Sequence, residues 1–404
     1  MTKTLQRQSP SVYLVAAEES GDALGAALAR ALARRQPGIK LAGVGGRAMA
    51  AAGIASPFAI DELSIVGLAA IPRRLPMILQ RIREAADSII AARPDALVII
   101  DSPDFTHRVA RRVRRLAPTI PIVNYVSPSV WAWRPGRARA MRGYIDCVLA
   151  ILPFEPAAHV RLGGPPCVYV GHPMIESVAE LRPNADEVRR RDSDPPLVLI
   201  LPGSRTSELR RLLATFGAAT ARIAKHIGPM ELVLPTTPHL LSRVHEGIAG
   251  WPQRPRIVSN PAEKWAAFRS ARAALAASGT VTLELALAGV PTVAAYRLSL
   301  IEELVFRAAR TPEISTTILA NLVIGENAVP EFLQRDCTAE NLAEALVPLL
   351  SDTPLRRRQV AAFQRLDSIM GISALSPSLE AAAVVLDTAQ RGRRDVAALT
   401  ALLA

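Results

Sequence analysis

Short apolar runs alternate with helix-like segments along most of the chain, and this alternation occurs twice. Such an alternation is typical of parallel sheets that carry helices on both faces. A polar stretch with several prolines, residues 181–196, separates the two series and indicates a linker. We therefore predict an α/β protein with two doubly wound, Rossmann-like domains that face each other across a cleft. The predicted strands are Val12–Ala16, Leu41–Val44, Ala96–Ile100, Ile122–Val126, Cys147–Leu152 and Val168–Val170 in the first series, and Leu197–Leu201, Leu232–Leu234, Ala273–Ala276 and Thr292–Ala295 in the second.

The 404 residues are enough for two domains of ordinary size. We predict a first domain at residues 1–190 and a second at residues 191–350. Residues 351–404 are mostly helical in pattern, and we expect these C-terminal helices to pack back across the domains or onto a partner subunit. Ligands of doubly wound sheets bind outside the carboxyl ends of the strands, so the residues that follow the strands are the candidates for chemistry.

The chain is strongly basic, with a formal net charge of +12 at pH 7. This charge favours anionic ligands such as phosphates or an acidic membrane surface. No nucleic-acid-binding motif or series of stacking aromatics accompanies it, so nucleic acid is not an expected partner. No apolar run reaches the roughly 18 residues of a membrane span, and the N-terminus does not resemble a secretory signal. Together with three widely spaced cysteines, these features favour a cytoplasmic location.

Two carboxylates follow strands of the first domain. Glu18 comes after the first strand in the sequence Glu18-Glu19-Ser20-Gly21-Asp22, where Asp22 is a good helix N-cap. Asp101 directly follows Ala96–Ile100, and neither the turn nor the helix start after it requires an acid at that position. A carboxylate at a strand end can accept a proton from an attacking hydroxyl as a general base. The alternative is an acidic residue of an ordinary turn, and the residues alone leave both interpretations open.

The segment from Ser127 to Arg134 contains Trp131 and Trp133, two of the four tryptophans. One interpretation is a loop that two buried indoles anchor. The other is the wall of an acceptor pocket, in which Arg134 would be available for a phosphate.

Two turns of the second domain have the character of phosphate sites. Gly203, Ser204 and Arg205 lie between a strand and a helix, where backbone N–H groups and a guanidinium can bind an anion. Ser278, Gly279 and Thr280 repeat this arrangement, and Glu284 lies one helical turn after Thr280. Glu284 has two interpretations, as a residue that contacts ribose hydroxyls or as an exposed carboxylate on the helix. No histidine or cysteine pattern predicts a metal site, and Asp192-Ser193-Asp194 is interpreted as a solvated turn.

Taken in the order in which they occur along the chain, the motifs of both domains resemble those of the lipid-A-disaccharide synthase family. The tryptophan segment is the most specific of them. The resemblance implies a GT-B glycosyltransferase fold and a first domain that faces the acceptor and the membrane. It also implies a second domain that binds the UDP-sugar. The motifs are Glu18-x-Ser20-Gly21-Asp22, Asp101-x-Pro103-Asp104-Phe105, Tyr125–Arg134, Leu152-Pro153-Phe154-Glu155, Leu201–Arg205 and Ala277–Thr280.

The reaction implied by the resemblance moves 2,3-diacylglucosamine from UDP to the 6-hydroxyl of 2,3-diacylglucosamine 1-phosphate. Configuration inverts, and a β-1,6 disaccharide 1-phosphate forms. Asp101 is then the expected base, with Glu18 second. The donor would contact Gly203, Ser204, Arg205, Ser278, Gly279, Thr280, Glu284 and Asn321, the last of which matches a family asparagine. Two positions differ from the family pattern, because Ala17 replaces the usual glycine before Glu18 and Ala320 the usual proline before Asn321.

Neither a metal nor another cofactor is expected, because the UDP-sugar is a substrate. Expected partners are the two acylated sugars, the lipid surface of the inner membrane and a second copy of the chain in a homodimer. The expected location is peripheral, on the inner face of the inner membrane of a Gram-negative bacterium. The acceptor and membrane candidates are Ser127, Trp131, Trp133, Arg134 and the apolar run with Ile65, Val66 and Leu68, for which the alternative is a buried segment.

Two other functions remain as alternatives. The second-domain features alone would also suit another UDP-N-acetylglucosamine GT-B enzyme, such as an epimerase or an N-acetylglucosaminyltransferase. A non-catalytic basic protein that binds lipid or RNA would explain the charge, but it predicts no UDP binding and no requirement for Asp101 or Glu18.

Overall fold

A computed structural model describes residues 9–63, 71–299, 302–303, 316–372, 376–392 and 398. The chain divides into two compact units. Unit 1 comprises Met1–Ile175 and Ala374–Ala404, and unit 2 comprises Glu176–Ser373. The boundary therefore lies earlier than the predicted one at residue 190. The predicted C-terminal piece, residues 351–404, is also divided, because its last helix packs in unit 1 and its earlier helices in unit 2.

Unit 1 contains a six-stranded parallel sheet with the strand order β2-β1-β3-β4-β5-β6. Its strands are β1 Ser11–Ala16, β2 Lys40–Val44, β3 Ala96–Ile100, β4 Ile122–Tyr125, β5 Cys147–Ala150 and β6 Cys167–Tyr169. Its helices are α1 Glu19–Arg35, α2 Arg47–Ala51, α3 Ile71–Ala92, α4 Pro103–Leu116, α5 Gly136–Met141, α6 Glu155–Arg161 and α17 Pro377–Arg391.

The central strands β1, β3, β4 and β5 of unit 1 are buried on both faces of the sheet, as expected for a parallel sheet covered by helices. Along β1, Tyr13 and Val15 enter one hydrophobic cluster, whereas Val12 and Leu14 enter the other. The second cluster also contains Ala381, Val384 and Val385 of α17, which packs against α1. These contacts explain why the C-terminal helix belongs to the first unit.

Unit 2 contains a second six-stranded parallel sheet, with the strand order β12-β11-β10-β7-β8-β9. Its strands are β7 Leu197–Leu201, β8 Glu231–Pro235, β9 Arg256–Val258, β10 Ala273–Ala277, β11 Thr292–Tyr296 and β12 Glu331–Leu333. Its helices are α7 Val178–Leu181, α8 Ala185–Asp192, α9 Thr206–Ile227, α10 Leu241–Ile248, α11 Pro261–Ser270, α12 Val281–Leu287, α13 Leu319–Ile324, α14 Ala339–Leu346, α15 Pro354–Gln364 and α16 Leu366–Met370.

The order of the strands fixes where each unit can bind a ligand. In unit 1 the direction of winding reverses between β1 and β3, which pair in register from Val12↔Ala96 to Ala16↔Ile100. In unit 2 it reverses between β7 and β10. Adjacent loops diverge at such a switch point and leave a crevice beyond the carboxyl ends of the strands.

The segment predicted as a linker, residues 181–196, is instead packed against unit 2. Helix α8 begins with a capping box between Asn184 and Glu187. The Arg191 guanidinium donates to the carbonyl oxygens of Phe268, Arg269, Ala288 and Gly289. The polar residues that resembled a solvated linker are therefore used to attach this helix to unit 2.

Candidate functional site

The switch point of unit 1 brings the first two candidate carboxylates to neighbouring strand ends. Glu18 is the N-cap residue of α1, and its side chain is exposed and makes no capping hydrogen bond. Asp101 follows β3, and its Oδ2 lies 3.4 Å from Ser20 Oγ of the first turn. The candidate base is therefore partly exposed beside the turn that carries Glu18.

Asp101 is held in an unusual backbone conformation. Its φ is 51° and that of Ser102 is 43°. A positive φ is uncommon for any residue but glycine, and more so for serine than for aspartate. The Asp101 N–H donates to Tyr125 O at 3.0 Å, and Thr106 Oγ1 donates to the Asp101 carbonyl. Val126, after the adjacent β4, also has a positive φ of 74°. Strained backbone of this kind is concentrated at functional sites, which supports a role for this end of the sheet.

Asp22, predicted to cap the helix after β1, has a different role. It is buried, and its carboxylate accepts hydrogen bonds from the N–H groups of Gly46, Ala48 and Met49 at 2.7–3.0 Å. It therefore caps α2 and not α1. The sequence pattern predicted a local cap because it does not show that the two helices lie together.

The first half of the tryptophan segment is an anchored loop. Ser127 Oγ lies 2.8 Å from His159 Nε2, and both residues are buried. Trp131 Nε1 donates to Glu155 Oε1 at 3.3 Å, and its ring packs edge-on against Phe154. Burial raises the pKa of Glu155 to about 7. These contacts give Ser127 and Trp131 a structural role, so the anchored-loop interpretation fits them better.

The second half of the segment is more accessible. Trp133 is half-buried, Arg134 is exposed, and the Arg134 guanidinium lies 5.5 Å from the centre of the Trp133 ring. These two residues remain candidates for the acceptor site. The other acceptor and membrane candidates, Ile65, Val66 and Leu68, lie outside the described residues.

Unit 2 contains a cavity of about 600 Å³ at its own switch point. The turns after β7 and β10 line it, together with residues that follow β8 and β9. The cavity thus brings together most of the predicted donor residues and several that were not predicted. Its lining includes Gly203, Ser204, Arg205, Glu208, Asn260, Lys264, Trp265, Ser278, Gly279, Thr280 and Glu284.

Glu208 changes the interpretation of the first turn. Its Oε2 accepts hydrogen bonds from Ser204 N at 2.9 Å and Arg205 N at 3.2 Å. Of the two N–H groups predicted to bind phosphate, those of Gly203 and Ser204, the Ser204 N–H is therefore paired with a buried carboxylate. The Arg205 guanidinium pairs with Oε1 of the same carboxylate at 3.1 Å, but its side chain is 75% exposed. The Arg205 side chain is therefore accessible to an anion at this turn.

In the second turn, two of the three predicted N–H groups are unpaired among the described residues. The Ser278 N–H donates to Ala295 O within the sheet. The N–H groups of Gly279 and Thr280 have no hydrogen-bond partner among the described residues and line the cavity. This turn therefore matches the predicted anion site better than the first one does.

Glu284 is paired with a residue that the sequence did not single out. Lys264 Nζ lies 2.9 Å from Glu284 Oε2 and 4.1 Å from the centre of the Trp265 ring. The cavity thus has a cation, a carboxylate and an indole on one wall, groups suited to phosphate, hydroxyls and a flat ring respectively. The sequence signal for Lys264 and Trp265 is their position at the start of α11, after the short strand β9.

Asn321 does not line this cavity. It is buried, and its side chain donates from Nδ2 to Val329 O at 2.9 Å and accepts from Val329 N at 2.8 Å. The predicted donor contact is therefore replaced by a structural one, in which the amide joins α13 to the chain before β12.

No cluster of three or more histidine, cysteine, aspartate or glutamate side chains that could hold a metal occurs among the described residues. Asp194, of the Asp-x-Asp sequence, pairs with Arg272 at 3.0 Å. Within the same residues, no helix is both long and apolar enough to cross a bilayer.

Comparison with known proteins identifies the family. A family model described as lipid-A-disaccharide synthetase matches residues 12–381. The chain is 59% identical over 384 residues to the lipid-A-disaccharide synthase of Bradyrhizobium diazoefficiens, an alignment that covers 95% of this chain and 97% of that protein. It is 58% identical over 391 residues to that of Nitrobacter hamburgensis, with 96% and 98% covered.

Solved structures confirm the predicted fold class. The crystal structure of Acinetobacter baumannii MurG, a GT-B glycosyltransferase, matches with a TM-score of 0.57 and 18% identity, and the match covers 94% of this chain and 99% of that one. An identity this low bears on the fold alone, whereas the family model and the two relatives extend over nearly the whole sequence. The chain belongs to the lipid-A-disaccharide synthase family.

Proposed function

We propose that this enzyme transfers 2,3-diacylglucosamine from UDP to the 6-hydroxyl of 2,3-diacylglucosamine 1-phosphate, with inversion at the anomeric carbon. Membership of the family implies a UDP-sugar donor and lipid A precursors as substrates. The observation that carries the proposal is the unit 2 cavity. Two strand-end turns, a lysine–glutamate pair and an indole converge in it at the switch point of a doubly wound sheet.

The donor diphosphate would bind Arg205 and the N–H groups of Gly279 and Thr280. These groups would stabilise the negative charge that develops on the departing UDP, which is the main electrostatic requirement of this reaction. Glu284, held by Lys264, would accept hydrogen bonds from the ribose hydroxyls. Because a guanidinium and two N–H groups can stabilise the charge on the diphosphate by hydrogen bonds, we propose that turnover requires no metal. Chelation with EDTA should therefore leave the rate unchanged.

Asp101 would act as the general base on the acceptor 6-hydroxyl. Its carboxylate is partly exposed, and Ser20 Oγ at 3.4 Å is its one described side-chain contact. Glu18, exposed on the adjacent turn, is the alternative base.

Because both substrates carry acyl chains, we also propose peripheral contact with the inner membrane, with Trp133 and Arg134 on the acceptor side. Formation of a homodimer is part of the proposal as well.

The donor site can be tested by isothermal titration with UDP. Arg205→Gln should weaken UDP binding at least about tenfold, since charge-assisted hydrogen bonds to phosphate contribute more than neutral ones. Arg243→Gln is the matched control, because Arg243 is exposed on α10 of the same unit and does not line the cavity. Equal UDP affinities of the two variants would contradict the proposed donor site.

A further inference from the structure

A second cavity, of about 610 Å³, lies entirely within unit 1. Helix α4 forms one wall with residues that recur at helical spacing, and the start of α5 forms the other. Four guanidinium groups and a single carboxylate line this cavity, which we call the arginine pocket. Its lining is Pro103, Asp104, His107, Arg108, Arg111, Arg134, Gly136, Arg137, Ala140 and Tyr144.

Tyr144 contacts two other residues of the lining of the arginine pocket, Arg111 and His107. The Tyr144 hydroxyl accepts from Arg111 at 3.2 Å and lies 3.0 Å from His107 Nδ1. The Arg111 guanidinium also stacks 4.7 Å from the centre of the Tyr144 ring. Burial, followed by the positive charges of Arg137 and Arg111, lowers the pKa of His107 to about 4. The histidine is therefore neutral at pH 7, and the charged side chains of the lining are the four arginines and Asp104.

Two of the four arginines are available for a ligand. Arg137 lies 3.7 Å from Asp104, and Arg111 is engaged with Tyr144. Arg108 and Arg134 are exposed and form no ion pair with any residue that the structure describes. Like charges brought together without a counter-ion repel each other, so such a cluster is stabilised by an anion between them.

The arginine pocket also lies next to the candidate base. Pro103 and Asp104, at its rim, follow Asp101 after one residue, and Arg134 belongs to the tryptophan segment. An anion in the pocket would thus lie at the same end of the sheet as the proposed acceptor site. The guanidinium group of arginine is well suited to a phosphate group, because it can donate two hydrogen bonds to the phosphate oxygens at once.

We propose that the arginine pocket binds a phosphate monoester, held chiefly by Arg108 and Arg134. The monoester could come from the 1-phosphate of the acceptor sugar or from an anionic lipid headgroup. Only the first source rests on the proposed function.

The direct test is titration with glucosamine 1-phosphate, which carries the phosphate monoester but no acyl chains. The double variant Arg108→Gln/Arg134→Gln should weaken its binding at least about tenfold. The control is Arg115→Gln/Arg139→Gln, which removes the same charge from exposed positions on α4 and α5 outside the pocket. Arg108→Gln alone should cause part of the loss, and this variant tests the proposal if the double variant does not fold.

Two further measurements distinguish the sources of the phosphate. If the acceptor supplies it, the double variant should have a raised KM for 2,3-diacylglucosamine 1-phosphate, while its flotation with phosphatidic acid vesicles matches the control. If a lipid headgroup supplies it, flotation should fall and the acceptor KM should stay unchanged.

Equal behaviour of the double variant and its control in the titration, the KM and the flotation would overturn the pocket proposal. The proposed function would fail separately, if the wild-type enzyme bound glucosamine 1-phosphate in this pocket but formed no disaccharide.

Discussion

Gly203 is the residue of the donor turn for which the structure predicts the sharpest effect of a substitution. Its φ is +110°, and a Cβ built on it would lie 2.1 Å from Glu208 Oε2 and 2.6 Å from Glu208 Cβ. Gly203→Ala therefore has two destabilising effects. Alanine would be held in an unfavourable backbone conformation, and its Cβ would displace the carboxylate that accepts from Ser204 N and Arg205 N.

The magnitude follows from these two contributions. An unfavourable positive φ costs an L-residue about 1–3 kcal/mol. Displacing Glu208 leaves two N–H groups at the start of α9 without their acceptor, at about 1 kcal/mol or more each. We expect Gly203→Ala to lower the free energy of unfolding of unit 2 by about 3–5 kcal/mol and its melting temperature by about 10 °C. UDP affinity should fall as well, because Arg205 follows the displaced turn.

Two other glycines of unit 2 separate the contributions. Gly228 has a φ of +86° and nothing within 4 Å of its Cβ position, so Gly228→Ala adds the backbone cost alone. Gly250 has neither a positive φ nor a close neighbour, so Gly250→Ala should change stability little. Scanning calorimetry should give melting temperatures in the order Gly250→Ala, Gly228→Ala, Gly203→Ala from highest to lowest. A Gly203→Ala melting temperature equal to that of Gly228→Ala would refute the role of Glu208.

Three further predictions concern other parts of the molecule. Asp101→Asn should reduce kcat by roughly 10²–10⁴-fold while UDP affinity stays unchanged in calorimetry, whereas a near-normal rate would indicate Glu18 as the base. Asn321→Ala should lower the free energy of unfolding in urea by about 3 kcal/mol, because it leaves the peptide groups of Val329 unpaired. UDP binding by the folded protein should stay within about twofold, and a large loss of affinity at normal stability would restore a donor contact. Burial depresses the pKa of three histidines of unit 1, His107, His159 and His172, to about 4. Only the unfolded chain then takes up their protons below pH 6.5, so unfolding free energy should fall from pH 7 to pH 5 by about 2 kcal/mol per histidine. The raised pKa of Glu155 acts in the opposite direction over this range and offsets about one of them. His107→Phe should reduce the pH dependence, and exposed His226→Phe should not.

The strands of both sheets could be predicted because long buried strands are apolar throughout. The predicted strands Ala96–Ile100 and Leu197–Leu201 agree with β3 and β7 to the residue. The edge strands β9 and β12 were not predicted, because each has three residues and is only partly buried. Packing between distant segments, such as α8 on unit 2 and α17 on α1, leaves little trace in local sequence.

The site was predictable where one turn supplies all of its groups. Gly279 and Thr280 line the unit 2 cavity, as their small-residue turn indicated. Glu208 was missed because a glutamate in a first helical turn resembles a routine capping residue, and only the structure shows that it accepts from Ser204 N and Arg205 N of the preceding turn. Asn321 was predicted as a donor-binding residue from the family resemblance, but in the structure its side chain accepts from Val329 N within unit 2.

The most direct test of the whole account is analysis of the reaction product. The wild-type enzyme should be incubated, with EDTA present, with UDP-2,3-diacylglucosamine and 2,3-diacylglucosamine 1-phosphate, and the lipid fraction examined by mass spectrometry and proton NMR. We expect release of UDP and one new β-1,6-linked disaccharide 1-phosphate, which Asp101→Asn should form far more slowly. An α-linked product, or release of UDP without a disaccharide, would contradict a single inverting displacement.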